Sequence, residues 1–362
     1  MTNPAIAKGV IPSLDGLRAV AIAIVFAGHA GLSSAIPGGL GVTIFFFLSG
    51  FLITTLLVRE HARYGSISFP AFFARRVLRL MPPLLATLLA AGLIVRAGIA
   101  EGALNPNTIF SQIFFYYNYF AVYGDADGSI RGFGILWSLS VEEHFYLIWP
   151  FMFLLIARGR LDIRHVILLL ILIPAWRYFR YMYWLDTEWI IYSLTDTRFD
   201  SLLYGCLLAL LSSGGQAERL FPDERPARFF LLCGGVLAIL VSLVLRDPTF
   251  RSTLRYSVQG LALMPIFHYA VTRPDLPIFR PLNWGWVRWL GVMSYTFYIC
   301  HYVIIDVIED NMSAMPYPVF FLAAGGLALL WSAIVFYGLE NPLKPMRSRL
   351  TGHAQRRRQA EG

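Results

Sequence analysis

Long apolar runs alternate with short polar segments along the chain. A run of about 20 apolar residues is long enough to cross the hydrocarbon core of a bilayer as a helix. The pattern therefore predicts an all-α fold, a polytopic transmembrane helical bundle of about ten spans. The predicted spans lie near residues 14–33, 40–58, 77–98, 135–157, 166–184, 190–211, 229–245, 254–272, 289–308 and 318–339.

The basic residues are distributed unevenly between the loops on the two sides of this bundle. With a cytoplasmic N-terminus, twenty-one of the 30 Lys and Arg residues fall on the inner side and five on the outer side. Because cytoplasmic loops carry an excess of Lys and Arg, we expect a multi-pass protein of the plasma (inner) membrane with both termini in the cytoplasm. Residues 1–345 are expected to form one transmembrane domain, followed by a basic cytoplasmic tail over 346–362. The weakest predicted span is 190–211, which contains Asp196, Arg198 and Asp200.

Composition supports a membrane protein and argues against two other classes. Of the 362 residues, 57% are hydrophobic and 14% are charged, whereas about 25% are charged in a typical soluble domain. The net charge of +8 is explained by the cytoplasmic loops, so no nucleic-acid partner is expected. The three cysteines lie in apolar runs without CxxC spacing, and no residues show metal-ligand spacing, so neither a disulfide framework nor a metal site is predicted.

The first span, LDGLRAVAIAIVFAGHAGLS, contains three ionisable residues: Asp15, Arg18 and His29. Such residues are costly in lipid and mark functional sites or pathways when they occur. His29 follows Arg18 by about three helical turns, or roughly 16 Å along the axis, so the two side chains should project from nearly the same face. Asp15 precedes Arg18 by three residues and is expected to pair with it.

The fourth span opens with WSLSVEEHFYLIWP, which carries Glu142 and Glu143 into the membrane. A carboxylate at that depth would be able to orient His29 as a base. The two glutamates point about 100° apart on a helix, so one of them is expected to face the site. The alternative is an internal ion pair that holds the helices together, with Arg177, Arg180 or Arg198 as the partner.

Three arginines, Arg75, Arg76 and Arg79, precede LMPPLL on the predicted inner side. Their spacing of three and four puts Arg79 beside the other two on one helical face. Guanidinium groups bind phosphate in bidentate fashion, so the cluster would suit a phosphorylated ligand. Topological anchoring or contact with lipid headgroups also explains these arginines, and the residues alone favour that interpretation. His301 in the ninth span is a weaker candidate, because a lone histidine in a span is more often a packed, hydrogen-bonded group.

Together these motifs resemble the acyltransferase 3 family of polytopic membrane O-acyltransferases. The similarity extends over nearly the whole chain, and its motifs are LDGLRAVAIAIVFAGH, GVTIFFFLSGFLIT, FFARRVLRLMPP, LWSLSVEEHFYLIWP, TRFDSLLYG, SYTFYICH and YGLENP. Two positions depart from the common pattern: His144 stands where glutamine is usual, and Cys300 where tryptophan is usual. The chain is expected to be of the stand-alone type, without the extracytoplasmic esterase-like domain that some members append.

The resemblance implies transfer of an acyl group, commonly acetyl, from cytoplasmic acyl-CoA to a hydroxyl of an acceptor such as a surface glycan or a lipid-linked sugar. Acyl-CoA would be a donor substrate, and no permanently bound cofactor is implied. By position, His29 would be the catalytic residue, with Arg18 as its functional partner and Glu142 or Glu143 as the supporting carboxylate. Arg75, Arg76 and Arg79 would bind the donor.

Asp15, Trp137, Ser138 and His301 are expected to support this site. A membrane transporter or glycan flippase is the alternative function, since polar residues along one helix face also suit a substrate pathway.

Overall fold

The computed structural model describes residues 11–124, 129–312 and 314–350. These residues form helices and turns and contain no strand, which confirms the all-α prediction. The helices are α1 (Leu14–Ala27), α2 (Gly38–Tyr64), α3 (Phe69–Arg96), α4 (Pro106–Ile113), α5 (Tyr117–Tyr123), α6 (Trp137–Ala157), α7 (Ile163–Tyr183), α8 (Glu188–Ser193), α9 (Thr195–Ser213), α10 (Ala217–Leu220), α11 (Arg225–Val244), α12 (Pro248–Ser252), α13 (Arg255–Thr272), α14 (Gly285–Val292), α15 (Ser294–Asn311) and α16 (Tyr317–Val335). Wide π-type turns over Gly28–Leu32 and Phe336–Glu340 continue α1 and α16, and 3₁₀ turns cover Phe133–Leu136 and Arg280–Asn283.

Each of the ten predicted spans coincides with helical structure. Among the described residues, seven helices are long and apolar enough to cross a membrane, and the bent pair α14 and α15 makes an eighth if it is one span. Helices α9 and α13 cover the other two predicted spans. The count of ten, the cytoplasmic termini and the single domain over 1–345 stay predictions. The predicted tail is helical over 346–350, and its remainder, 351–362, lies outside the described residues.

Three predicted spans differ from single regular helices. The run 289–308 is bent by 69° between α14 and α15, because the backbone at Met293 (φ −88°, ψ 0°) leaves the α-helical range. The run 190–211 is divided between α8 and α9, because Leu194 is extended (ψ 150°). The run 14–33 leaves regular helical geometry at Ala30 and Gly31, where Gly31 has a φ of 98°.

The described residues belong to two compact units. The first unit comprises 11–25, 34–59 and 141–292, and the second comprises 26–33, 60–140 and 293–350. In the first unit, α9 packs against α7 and α13, and α13 packs against α11. In the second unit, α15 packs against α16 and α3.

A buried ion pair joins the helices of the first unit. Arg177 on α7 binds both carboxylate oxygens of Asp200 on α9, at 2.7 and 2.8 Å, and both side chains are fully buried. Arg177 also donates to the Ser257 hydroxyl and to the Thr197 and Thr253 carbonyls. Because an unpaired charge in an apolar interior is costly, this full set of partners is what permits an arginine at this position.

Helices α2 and α9 cross at two glycines in the same unit. A Cβ atom at Gly205 would overlap the backbone of Phe47 and Phe51, and one at Gly50 would overlap the backbone of Leu202. Small residues at such positions let two helix backbones approach closely. The TRFDSLLYG motif therefore includes a packing requirement at its last residue.

We expect Gly205→Ala to destabilise the protein, because the added methyl group overlaps backbone atoms that have no space to move. Overpacking of this kind costs about 1–3 kcal/mol. The control is Gly234→Ala on α11, where no other atom lies within 4 Å of the added Cβ. Thermal unfolding of the purified variants in detergent should show a lower midpoint for Gly205→Ala only. Equal midpoints for the two variants would contradict the close crossing of α2 and α9.

Candidate active site

His29 lies on the π-type turn that follows α1, in the second unit. The turn exposes the Ala30 carbonyl, which accepts a hydrogen bond from the Tyr317 hydroxyl at 3.0 Å. The positive φ of Gly31 favours glycine, and an added Cβ there would lie 3.1 Å from the Tyr317 ring. Wide turns of this type occur frequently at functional sites. Tyr317 thus holds the irregular segment that carries His29.

A hydrogen bond joins His29 to His301 on α15. The distance from His29 Nδ1 to His301 Nε2 is 2.8 Å, and the ring planes lie within 13° of parallel, with centroids 5.2 Å apart. The Tyr302 ring stacks on His29 at 4.7 Å between centroids and 11° between planes. His301 is fully buried, whereas His29 is half-buried. His29 is therefore held at one ring edge and one ring face.

The partners of His301 determine the tautomer of both rings. His301 Nδ1 lies 2.7 Å from the Tyr298 carbonyl and 3.2 Å from the Phe297 carbonyl, and a carbonyl only accepts. The proton of neutral His301 is therefore on Nδ1, and its Nε2 must accept from His29 Nδ1–H. Neutral His29 then has its lone pair on Nε2, which no described residue of the second unit hydrogen-bonds. An imidazole in this state is ready to take a proton.

Ser138 belongs to the surroundings of His301, and its supporting role stays a prediction. Its hydroxyl lies 2.7 Å from the Tyr298 hydroxyl, and Tyr298 also donates to the Ile135 carbonyl. These contacts fix the helical turn whose carbonyl holds His301. Trp137 is buried beside Ser138 at the start of α6.

The paired glutamates lie in the first unit, on α6. Glu142 Oε1 accepts hydrogen bonds from the Ser49 hydroxyl and, at 2.5 Å, from the Tyr146 hydroxyl. Glu143 is half-buried on the same turn. His144, which stands where the family commonly has glutamine, forms a hydrogen bond with the Thr195 hydroxyl at 2.7 Å. The role of Glu142 or Glu143 as the orienting carboxylate stays a prediction, and the partner of His29 within its own unit is a histidine.

The sequence left open an ion pair between the glutamates and Arg177, Arg180 or Arg198. Two of these arginines pair with aspartates in the structure. Arg177 is bound to Asp200, and Arg180 is bound to Asp186 and Asp196 at 2.5 and 2.8 Å. The arginines of this region are thus matched by the aspartates that interrupt the predicted sixth span and its preceding loop.

Arg18 and Asp15 form the predicted pair, with Arg18 Nη1 2.7 Å from Asp15 Oδ1. The start of α1 is fixed by its contacts within the first unit. Asn283 accepts from the Ser13 amide at 2.9 Å and donates to the Ser13 hydroxyl at 3.0 Å. Gly291 lets α14 approach the Asp15 backbone, which orients the turn that carries Arg18.

The arginine cluster lies on α3 in the second unit, half-buried, as the spacing predicted. Arg75 pairs with Glu60 at 3.2 Å, and Arg76 lies over the Phe72 ring at 5.7 Å. Arg79 lies close enough to Glu340 to interact with its charge. Each of the three arginines therefore has a neighbour within the second unit.

The sequence did not point to Tyr298, Tyr302 or Tyr317. For Tyr298 and Tyr302 the signal would have been the density of aromatic residues around His301, in SYTFYICHY, but such density is common at membrane interfaces. No local pattern marked Tyr317. Among the described residues, no three His, Cys, Asp or Glu side chains converge as a metal-ligand set.

The comparison with known families identifies the family of this chain. A family model described as an acyltransferase domain, that of acyltransferase 3, matches residues 11–337. The chain belongs to the acyltransferase 3 family. It is accordingly a multi-pass membrane protein of an acyltransferase family, in which His29 lies on the first candidate span and His301 on the last but one.

Two curated relatives of this acyltransferase 3 chain are similar over most of its length. The Bacillus subtilis protein YrhL is 33% identical over 330 residues, which cover 86% of this chain and 51% of YrhL. The peptidoglycan O-acetyltransferase OatA of Listeria monocytogenes is 31% identical over 322 residues, which cover 82% of this chain and 50% of OatA. The chain thus spans about half the length of these relatives. No solved structure matches it significantly.

We expect His29 and His301 to be Nδ1–H tautomers with unprotonated Nε2 atoms. Nitrogen-15 solid-state NMR of histidine-labelled protein in bilayers above neutral pH should show both rings in this form, and His29→Gln should remove one signal. In His301→Gln, the glutamine Oε1 lies near the former position of His301 Nε2 and is able to accept the hydrogen bond from His29 Nδ1–H. This variant should preserve the His29 signal, whereas His301→Leu should not. His165→Gln, at an exposed histidine beside Asp162, should leave both signals. A protonated Nε2 on His29 would refute the assignment.

Proposed function

We propose that this protein is a plasma-membrane O-acyltransferase that moves an acetyl group from cytoplasmic acyl-CoA to a hydroxyl of a carbohydrate acceptor, with peptidoglycan as the first candidate. The observation that carries the proposal is the 2.8 Å contact between His29 Nδ1 and His301 Nε2, from which we infer that the lone pair of neutral His29 is on its Nε2. The relative OatA is a peptidoglycan O-acetyltransferase, which supports this acceptor class.

In this proposal His29 is the general base. Its Nε2 removes the proton from the acceptor hydroxyl as the oxygen attacks the thioester carbonyl carbon. The carbon–sulfur bond breaks, the ester forms, and the thiolate of CoA takes the proton back from His29. His301 supports the step because its Nε2 accepts from His29 Nδ1–H and so stabilises the transient imidazolium.

The donor would approach along α15 from its N-terminal end. Thr296 on α15 donates to Glu340 at 2.7 Å, and Glu340 lies within electrostatic range of Arg79, a member of the arginine cluster. His301 follows Thr296 by five residues, or about 7.5 Å along the helix. Arg79 of the arginine cluster is thus linked through Glu340 to the helix that carries His301, which supports the proposal that the cluster binds the CoA phosphates while the thioester arm reaches His29.

The remaining site residues keep the roles that the family resemblance gives them. Arg18, oriented by Asp15, is proposed to interact with the donor arm. Glu142, held by two hydroxyl donors, or Glu143 is proposed as the supporting carboxylate.

His29→Ala should leave a folded protein whose acetyl transfer is reduced about 10²–10⁴-fold, because general-base assistance contributes that much to a rate. The measurement is incorporation of label from radiolabelled acetyl-CoA into peptidoglycan fragments by the full chain in lipid nanodiscs. His165→Ala is the control, since this exposed histidine binds Asp162 far along the sequence from the proposed site. Near-normal acetyl transfer by His29→Ala would refute the assignment. Movement of the glycan across the membrane in the absence of acyl-CoA would favour a transporter.

Arg75→Ala and Arg76→Ala should each raise the KM for acyl-CoA about 10- to 100-fold and leave the acceptor KM unchanged. This range corresponds to the loss of one hydrogen bond to a charged group, about 1.5–3 kcal/mol. Arg63→Ala is the matched control, because Arg63 is exposed near the end of α2 and carries the same charge on the same predicted side. An unchanged donor KM would identify the cluster as a topological anchor.

A further inference from the structure

A pocket of about 350 Å³ lies within the first unit, separate from the residues assigned to chemistry. Its walls come from three segments: the residues at the start of α2, helix α8, and the stretch from the end of α11 to the start of α13. These are three of the connections that the loop charges assign to the outer side of the membrane. Their convergence on one pocket is consistent with that assignment, since loops on opposite sides of a bilayer do not meet.

Aromatic rings form one wall of the pocket. The Trp189 and Tyr192 ring centroids are 6.0 Å apart, and those of Tyr192 and Tyr256 are 6.1 Å apart. Trp189 is 49% exposed and lines the pocket. Rings with an apolar face and a polar edge suit a ligand that is apolar on one side and wet on the other.

A buried arginine lies behind these rings. Arg198 is fully buried, with its guanidinium carbon 3.9 Å from the Tyr256 centroid and 5.0 Å from that of Tyr192. It also donates to the Thr43 hydroxyl at 3.2 Å. Cation–π contacts of this kind fix the two rings in place, so the pocket wall is formed before any ligand arrives.

The rim of the pocket is positively charged. Arg251 pairs with Glu188 at 3.0 Å, whereas Arg255 has no carboxylate partner among the described residues. Arg255 instead donates to the Tyr256 hydroxyl at 2.9 Å, which directs its guanidinium beside the aromatic wall. Gln259, buried at the base, is held by its contact with Ser242 at 3.1 Å.

From these contacts we infer that the pocket binds an acidic saccharide unit of the acceptor glycan. The rings stack on the apolar face of a sugar, Arg255 binds its carboxylate, and the Glu188 and Gln259 side chains meet its hydroxyl and amide groups. A guanidinium fork matches a carboxylate geometrically. A few polar groups at an aromatic wall are the composition of a small-molecule pocket of this size. The inference rests on the proposed transfer to a glycan and adds the feature by which the glycan is recognised.

The test measures binding by the full chain in nanodiscs of zwitterionic lipid, without transfer. The probes are N-acetylglucosaminyl-N-acetylmuramic acid, which has a carboxylate, the neutral N,N′-diacetylchitobiose, and CoA. We expect wild type to bind the acidic disaccharide at least tenfold more tightly than the neutral one. Arg255→Ala should abolish this preference by weakening only the acidic probe, and Trp189→Ala, at an exposed position, should weaken both disaccharides.

Arg246→Ala is the matched control, because Arg246 is an exposed arginine of the same connection that does not line the pocket. It should bind all three probes as wild type does. Equal binding of the acidic disaccharide by wild type and Arg255→Ala would overturn the inference, as would loss of CoA binding in Arg255→Ala. Acetyl transfer is assayed separately. If the disaccharides bind as expected but wild type transfers no acetyl group, the proposed function alone is rejected. If wild type transfers acetyl groups but Arg255→Ala binds the acidic disaccharide as wild type does, the pocket alone is rejected.

Discussion

The ion pair between Arg177 and Asp200 shows the constraint that governs this protein. A charge in an apolar bundle is costly unless it finds partners inside the protein. Arg177 reaches Asp200, Ser257 and two carbonyl oxygens, and so it joins α7, α9 and α13 of the first unit. The polar residues that weaken the predicted sixth span are therefore the residues that bind its neighbours. Removal of Asp200 would leave a buried charge, which costs far more than the pair contributes.

The same constraint gives His29 its chemical character. In water, either nitrogen of a neutral imidazole is free to hold the proton. Within the second unit, the carbonyl of Tyr298 fixes the proton of His301, and His301 in turn fixes that of His29. These two hydrogen bonds, which begin at the Tyr298 carbonyl, leave the lone pair of His29 on Nε2. No described residue of the second unit forms a hydrogen bond with that atom. The contacts that satisfy the buried His301 therefore also give His29 the tautomer that the proposed general base requires.

Arginines lie in three kinds of surroundings in this fold, and each kind suits a different role. Arg177 is buried and fully paired, which makes it structural. Arg75 is half-buried beside Glu60 in a cluster that suits phosphate. Arg255 lies at an aromatic wall with no carboxylate partner among the described residues, which suits a ligand carboxylate. Charge alone, which is all that a sequence gives, does not separate these roles.

Helical periodicity and apolar run length determined the elements: all ten predicted runs are helical, and the Asp15–Arg18 pair forms at its expected spacing of three. These features are local, so they depend only on residues within a turn or two of each other. The tertiary structure alone decided that His29 meets His301, 272 residues away, and that Glu142 binds Ser49 and Tyr146. It also decided the bend at Met293 and the convergence of three connections on one pocket. Such contacts depend on how each helix is rotated and shifted against its neighbours, and a repeat of 3.6 residues does not encode that rotation.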